Sequence, residues 1–123
     1  MGVRKILLVD DEEELVMAVK ARLEANDYEV VAAYDGEDGL RKAQEGGYDL
    51  IILDVMLPKM DGYKVCSSLK RDDRYSKTPI LLFTARASED DIRTGLEESK
   101  ADGYLTKPFE AQILLRKIHE LMK

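Results

Sequence analysis

The chain has 123 residues, of which 45% are hydrophobic and 36% charged, and its formal net charge is −6 at pH 7. This length suits one domain with its own core, and the negative charge argues against sequence-independent binding of DNA or anionic membranes. A single cysteine, Cys66, excludes an internal disulfide, and the apolar run near the N-terminus is too short for a signal peptide or a membrane span. We therefore expect a cytoplasmic protein with one domain over residues 1–123.

Short β-forming runs alternate along the chain with segments long enough for helices. The predicted strands span residues 5–9, 29–33, 50–53, 79–83 and 103–105. Strands that alternate with helices in this way predict a parallel sheet covered by helices on both faces. The sequence therefore predicts an α/β fold of the doubly wound kind.

The first predicted helix has more apolar residues than one face requires. Leu15, Val19 and Leu23 recur at helical spacing and form a core face, which leaves Val16 and Met17 without a core role. Two interpretations of Val16 and Met17 stay open. They dock the helices of a partner, or they are ordinary exposed apolar residues.

The third and fourth helices differ in how strongly the sequence marks them. Asp61 is a good N-cap for the third helix. The fourth, from about Glu89, has only Ile92 and Leu96 as large apolar residues. It also contains Gly95, which costs about 1 kcal/mol relative to alanine inside a helix. We expect the fourth helix to be the loosest of the set.

Polar residues follow four of the predicted strands. These are Asp10 and Asp11 after the first, Asp54 after the third, Thr84 after the fourth and Lys107 after the fifth. In open α/β sheets, ligands bind beyond the carboxyl ends of the strands. Carboxylates suit Mg²⁺, while a hydroxyl and an ammonium suit phosphoryl oxygens. We predict that Asp54 is a nucleophile that forms an aspartyl phosphate.

The run ILLVDDEEEL places five carboxylates side by side, and neighbouring carboxylates about 4 Å apart repel by roughly 1 kcal/mol even in water. One compensation is the positive end of a helix, and another is a bound cation. We assign residues 12–14 to the first helical turn. Asp11 is predicted to bind the cation directly, and Asp10 to hold one of its water ligands.

Four motifs occur in order along the chain, namely VDDEEE, LDVMLPKMDG, FTA and YLTKPF. Together they resemble the receiver domain of two-component response regulators over essentially the whole chain. The resemblance implies the flavodoxin-like (βα)5 receiver fold, a doubly wound five-stranded parallel sheet with strand order 2-1-3-4-5. It also implies that Asp54 accepts a phosphoryl group from a phosphohistidine on a partner histidine kinase or histidine phosphotransfer protein.

The resemblance also implies which residues hold the metal. Asp10 and Asp11 are the acidic pair, and they bind Mg²⁺ together with Asp54. The backbone carbonyl of Met56 is a further protein ligand that the family usually provides. Mn²⁺ is expected to substitute for Mg²⁺.

Other residues are assigned to the phosphoryl group by the same resemblance. Thr84 is the switch hydroxyl, the amide of Ala85 lies beside it, and Lys107 pairs with the phosphoryl charge. Tyr104 is the aromatic residue that turns inward when Thr84 moves. The bond Lys107-Pro108 matches the position of a cis peptide in the family.

The chain departs from the family pattern at Lys100, where a glycine usually ends the fourth helix. A lysine there needs another cap or a left-handed backbone. Met56 and Arg86 stand at variable positions that flank the path of attacking water. The bulk of Met56 and the long cation of Arg86 predict a comparatively long-lived phosphoryl form.

Two other functions compete with the phosphorylation switch. A Mg²⁺-dependent phosphohydrolase of the haloacid-dehalogenase type needs an acid two residues after its nucleophile, where this chain has Met56. We therefore expect no separate substrate. The other alternative is a phosphorylation-independent scaffold with the receiver fold.

The expected output is a change in the face formed by the fourth helix, the fifth strand and the fifth helix. This change would control a downstream effector protein or domain outside this chain, and phosphorylation-dependent homodimerisation is one possible form of it. We expect this domain itself to bind neither nucleic acid nor membrane.

Overall fold

The structure is a computed structural model that describes residues 2–85 and 89–122. Its strands are β1 (Lys5–Val9), β2 (Glu29–Ala33), β3 (Leu50–Asp54), β4 (Ile80–Thr84) and β5 (Gly103–Thr106). Its helices are α1 (Glu13–Glu24), α2 (Gly36–Glu45), α3 (Gly62–Lys70), α4 (Glu89–Ser99) and α5 (Ala111–Leu121). All strand pairs are parallel, in the order β2-β1-β3-β4-β5, which confirms the predicted fold.

The central strands are apolar on both faces because helices cover both sides of the sheet. On one side, Ile6 and Leu8 of β1 pack in a core that includes residues of α1 and α5. On the other side, Leu7 and Val9 pack in a second core that includes residues of α2 and α3. The alternating directions of side chains along a strand thus separate two cores, with one sheet between them.

Helix α1 shows where the predicted core face was too narrow. Val19 and Leu23 are buried as predicted, and Leu15 packs partly buried at the edge of the same core. Val16 is also fully buried, so the prediction that it has no core role is wrong. An amphipathic helix buries three to four residues per two turns, and this wider stripe includes Val16. Met17 is exposed, as predicted.

Helix α4 packs on α3 where Gly95 meets Tyr63. A Cβ atom at Gly95 would lie 2.3 Å from the Tyr63 ring, so only glycine permits this approach. Gly95 lowers the stability of the helix, but it allows close packing of α4 on α3, which the sequence pattern did not show. Beyond the helix, Lys100 has φ 64°, which confirms the left-handed backbone as the way the chain accommodates a lysine there. The looseness of α4 stays a prediction.

The predicted helix cap at Asp61 is confirmed, because its Oδ1 accepts a hydrogen bond of 2.9 Å from the backbone N–H of Lys64.

Cys66 is buried within α3, where burial raises the pKa of its thiol to about 11. Within the described residues, every helix is too short or too polar to cross a bilayer.

Candidate functional site

Four polar residues meet at the carboxyl edge of the sheet, as the sequence predicted. Asp10 directly follows β1, Asp54 ends β3, Thr84 ends β4 and Lys107 directly follows β5. Asp10, Asp54 and Thr84 are all buried, although each is polar. Buried polar groups need partners, so these residues are expected to depend on one another and on any bound ligand.

Lys107 lies at the centre of this group. Its Nζ is 2.8 Å from Asp10 Oδ2, 2.8 Å from Glu12 Oε1 and 3.2 Å from Asp54 Oδ2. Its side chain is only 12% exposed. One ammonium thus faces three carboxyl groups, and the site has more acid than its own cation can balance.

The backbone fixes the other oxygen of each buried carboxylate. Asp10 Oδ1 accepts a hydrogen bond of 2.9 Å from the N–H of Glu12, and Asp54 Oδ1 accepts one of 3.1 Å from the N–H of Met56. Each of these carboxylates therefore uses one oxygen for the local chain and the other for Lys107. Both side chains are held in place before any ligand binds.

The turn after β3 brings α3 against the site. A Cβ atom at Gly62 would lie 2.2 Å from the backbone oxygen of Asp54, so glycine is required for this close approach. The N–H of Gly62 also donates a hydrogen bond of 2.9 Å to the carbonyl of Val55. The DG pair of the LDVMLPKMDG motif thus combines the helix cap Asp61 with the residue that lets α3 begin beside Asp54.

The Asp54 carboxyl is harder to ionise than an ordinary aspartate. Burial raises the pKa of Asp54 to about 6, and the charge of Asp10 adds to this effect. For Lys107, burial alone lowers the pKa, but hydrogen bonds with Asp10 and Glu12 outweigh it and hold the pKa above the ordinary lysine value. The charge of Asp10 contributes to both shifts, because it repels the Asp54 carboxylate and attracts the Lys107 ammonium. Further positive charge would therefore favour the ionised form of Asp54.

The described side chains include one acidic group that is able to hold a metal ion, formed by Asp10, Glu12 and Asp54. One carboxylate oxygen from each lies within 4.8 Å of the others. An all-oxygen donor set fits a hard divalent cation. Asp11, a predicted ligand, is exposed at the same strand end and lies outside this group.

Glu12 is the residue that sequence reasoning missed. It was placed in the first helical turn, but α1 begins at Glu13 and Glu12 occupies the N-cap position, where its side chain makes no capping hydrogen bond. Its carboxylate contacts Lys107, 95 residues away in the chain. A weak signal existed, because glutamate is not among the preferred N-cap residues.

The remaining predicted residues lie around the same edge. Ala85 follows Thr84 and is exposed, and Tyr104 is exposed on β5. The bond Lys107-Pro108 is cis, as the resemblance implied. Beside the acids is an open cavity of about 450 Å³, lined by Glu12, Leu15, Ala85, Lys107, Pro108 and Phe109.

Of the two variable positions that flank the water path, Met56 has an exposed side chain, and its backbone N–H donates to the acceptor Asp54. Arg86 lies outside the described residues. The predicted effect of this pair on the lifetime of a phosphoryl group stays a prediction.

Comparisons with known proteins agree with this geometry. Residues 6–119 match the family described as response regulator receiver domain. The alkaline phosphatase synthesis transcriptional regulatory protein PhoP of Bacillus subtilis is 43% identical over 98% of this chain and 49% of its own length. The response regulator ArlR of Staphylococcus saprophyticus is 39% identical over 97% of this chain and 52% of its own length. The chain thus spans about half the length of the curated relatives it matches.

Solved structures show the same fold at full coverage. The chemotaxis response regulator CheY4 of Vibrio cholerae has a TM-score of 0.91 and 33% identity, over 98% of this chain and 99% of that one. The receiver domain of sensor histidine kinase PA1611 from Pseudomonas aeruginosa PAO1 was solved with a magnesium ion coordinated in the active site cleft. It has a TM-score of 0.89 and 30% identity, over 98% of each chain. The chain therefore belongs to the response regulator receiver domain family.

Proposed function

We propose that this receiver domain is a phosphorylation-dependent signalling switch whose acceptor is Asp54. The observation that carries the proposal is the Asp54 carboxylate, buried at the end of β3 with Oδ2 at 3.2 Å from the Lys107 ammonium. A carboxylate oxygen of Asp54 attacks the phosphorus of a phosphohistidine. The new O–P bond forms as the N–P bond breaks, and the imidazole nitrogen leaves with the electron pair and later takes up a proton.

Lys107 and Thr84 are proposed to receive the transferred group. The ammonium neutralises phosphoryl charge, while the Thr84 hydroxyl and the amide of Ala85 provide donors for phosphoryl oxygens, because phosphoryl transfer depends mainly on positioning and charge. Hydrolysis by water would then restore the Asp54 carboxylate and release inorganic phosphate. Apart from the phosphoryl donor, we expect no separate substrate.

The donor set fits Mg²⁺, with Mn²⁺ as a substitute, and we propose Asp10, Asp11, Asp54 and the backbone carbonyl of Met56 as the residues that hold it. Two observations support the fit, namely the excess of acid around Lys107 and the magnesium ion in the related PA1611 receiver domain. When bound, Mg²⁺ supplies charge neutralisation for the phosphoryl oxygens. Asp10 and Asp54 are already fixed by backbone hydrogen bonds, so they need little rearrangement to serve as ligands.

The proposed switch runs from Thr84 to Tyr104. A hydroxyl drawn toward the phosphoryl group leaves space beside β4 for the Tyr104 ring, which is exposed in the present structure. Thr84 pairs in register with Thr106, two residues beyond Tyr104 on the neighbouring strand. The face of α4, β5 and α5 would change as a result.

We propose that a histidine kinase or histidine phosphotransfer protein supplies the phosphoryl group and that a downstream effector protein or domain reads the altered face. Two named relatives, PhoP and a regulator called RpaA, are described as transcriptional regulators and are about twice as long as this chain. This favours an output that controls transcription, with or without phosphorylation-dependent dimerisation. We treat residues 1–123 as one receiver domain.

Intact mass spectrometry after incubation with Mg²⁺ and acetyl phosphate tests the proposed function. We expect the wild type to gain the mass of one phosphoryl group, and we expect no gain in Asp54→Asn or in the wild type without a divalent cation. Asp73→Asn is the matched control, because Asp73 is an exposed aspartate away from the site and should not affect the adduct.

Two outcomes would favour the alternatives. No adduct on the wild type under any of these conditions would favour the phosphorylation-independent scaffold. Continuous turnover of a separate phosphate ester that depends on Asp54 would favour the phosphohydrolase.

A further inference from the structure

This inference rests on the proposed function and adds a residue to it. We infer that Glu12 is a positioning residue for Lys107. It holds the ammonium on the solvent side of the acidic group and competes with the incoming phosphoryl group for it. Glu12 thereby limits how fast Asp54 is phosphorylated.

The side chain of Glu12 accepts a hydrogen bond from Lys107 and does not cap its own helix. Glu12 has an extended backbone at the N-cap position of α1, and its carboxylate makes no capping hydrogen bond. Instead, Oε1 lies 2.8 Å from Lys107 Nζ, as close as Asp10 and closer than Asp54. The N–H of Glu12 also donates to Asp10 Oδ1 over 2.9 Å, so its backbone is tied to the same site.

The ammonium of Lys107 has no spare donor for a phosphoryl oxygen. Lysine carries three N–H donors, and three carboxylates accept from Lys107 in this structure. A phosphoryl group on Asp54 must therefore replace one of these partners.

Glu12 is the partner that is released most easily. Its side chain is 61% exposed, whereas those of Asp10 and Asp54 are 0% and 4% exposed. Water can solvate the Glu12 carboxylate when it leaves Lys107, but a buried carboxylate without its partner would be costly. Glu12 also borders the open cavity beside the site, into which its side chain has room to turn.

The competing assignment for Glu12 is metal binding, because its oxygen belongs to the acidic group that can hold a cation. The two roles predict different results for Mg²⁺ affinity. If Glu12 serves Lys107, Glu12→Gln should change the affinity no more than Glu13→Gln does. Asp11→Ala, which removes a proposed ligand, should lower the affinity by at least about tenfold, since losing even a residue that only supports a ligand typically costs about 10- to 100-fold.

The main test compares rates of phosphorylation by acetyl phosphate at saturating Mg²⁺, followed by intact mass. We expect Glu12→Gln to be about two- to fivefold faster than wild type, the range that an exposed ion pair supplies. Glu13→Gln is the matched control, since Glu13 is the next acid, is exposed and carries the same charge. It should leave the rate near the wild-type value, which separates the contact with Lys107 from a general change in repulsion of the anionic donor.

Two further measurements test whether the effect of Glu12 depends on its contact with Lys107. In a Lys107→Met background, Glu12→Gln and Glu13→Gln should have equal rates, because the partner of Glu12 is gone. In the unphosphorylated protein, the ¹⁵N–¹H resonance of the Lys107 ammonium should shift in Glu12→Gln and stay in place in Glu13→Gln.

Each contrary outcome is distinct. Equal rates for Glu12→Gln and Glu13→Gln in the wild-type background would overturn the positioning role and leave Asp54 as the acceptor. A tenfold loss of Mg²⁺ affinity in Glu12→Gln alone would make Glu12 a metal ligand and would also overturn it. Absence of any adduct on the wild type would overturn the proposed function, and this inference with it.

Discussion

Lys70 and Lys107 are both nearly buried, at opposite edges of one sheet, and their charges are balanced differently. The Lys70 side chain is 9% exposed and that of Lys107 is 12% exposed. Lys70 Nζ lies 2.7 Å from Asp102 Oδ2 and donates to the carbonyls of Ser76 and Thr78 over 3.1 and 2.8 Å. Lys107 instead faces the carboxylates of three acids.

The difference separates a structural ion pair from a reactive site. Around Lys70, one cation meets one acid and two neutral carbonyls, so the charges cancel. Asp102 also accepts a hydrogen bond of 2.8 Å from the N–H of Ile80, which ties α3 to the start of β4. Around Lys107, the acids outnumber the cation. A divalent cation would offset the excess negative charge around Lys107, whereas the acid beside Lys70 is already neutralised.

Lys70→Met should have the largest effect on the stability of the fold. The substitution leaves two carbonyls without a donor and Asp102 without its cation, although Asp102 keeps the hydrogen bond from the N–H of Ile80. Breaking such a pair costs about 3 kcal/mol of unfolding free energy when one partner stays partly buried. Urea denaturation measures the loss. Lys64→Met on the exposed side of the same helix is the control and should change stability little. A loss that Mg²⁺ restores would contradict the purely structural role of Lys70.

Lys107→Met should destabilise the metal-free protein by about 2 kcal/mol, because mutual repulsion among the remaining acids is no longer offset. Unlike the loss in Lys70→Met, this one should be largely recovered when Mg²⁺ is added. Thermal unfolding with and without EDTA measures both values. If Lys107→Met and Lys70→Met respond equally to Mg²⁺, the proposed contrast between the two sites is wrong.

Asp54→Asn should have the smallest effect, and that effect should depend on pH. The pKa of Asp54 is raised to about 6, above the unfolded value, so the native state binds more protons and wild-type stability falls as pH rises between about 4 and 6. Asparagine does not ionise, so Asp54→Asn removes the free-energy cost of a buried negative charge. We expect a gain of about 1 kcal/mol above pH 6 without metal, after allowing for the lost partner of Lys107, and almost none near pH 4.

Thermal unfolding across this pH range, with EDTA present, measures the difference between Asp54→Asn and wild type. Asp73→Asn, at an exposed site, should show no gain that grows with pH. A gain for Asp54→Asn that is greatest near pH 4 would have the wrong sign and would contradict the raised pKa.

Periodicity and strand ends were enough to predict the sheet and the edge where polar residues gather. Apolar runs mark buried parallel strands, and a parallel sheet necessarily brings their carboxyl ends together. The meeting of Asp10, Asp54, Thr84 and Lys107 at one edge of the sheet is therefore predictable from the sequence alone. Residue chemistry predicted Asp54 as the nucleophile and the other residues as groups for metal and phosphate, whereas the switch role of Thr84 came from the resemblance. All of these roles stay proposals.

Contacts between distant residues explain what the sequence did not predict. The contact of Glu12 with Lys107 depends on where a long side chain turns after a helix starts, which no local pattern encodes. From the sequence alone, Gly95 only weakens its helix, whereas in the fold it allows α4 to approach the ring of Tyr63. Val16 was misplaced because a residue at the edge of a helical stripe is buried or exposed according to how α1 sits on the sheet.

The seam between α3 and α4 has a mechanical consequence. At Gly95 a flat aromatic ring rests on bare helix backbone, so no side chain from α4 inserts between residues of α3 at this point. Helices that interlock through ridges and grooves must separate before they can shift along each other. Such interlocking is missing at this point of the seam, and any larger residue at position 95 would push α4 away from α3 or displace the Tyr63 ring.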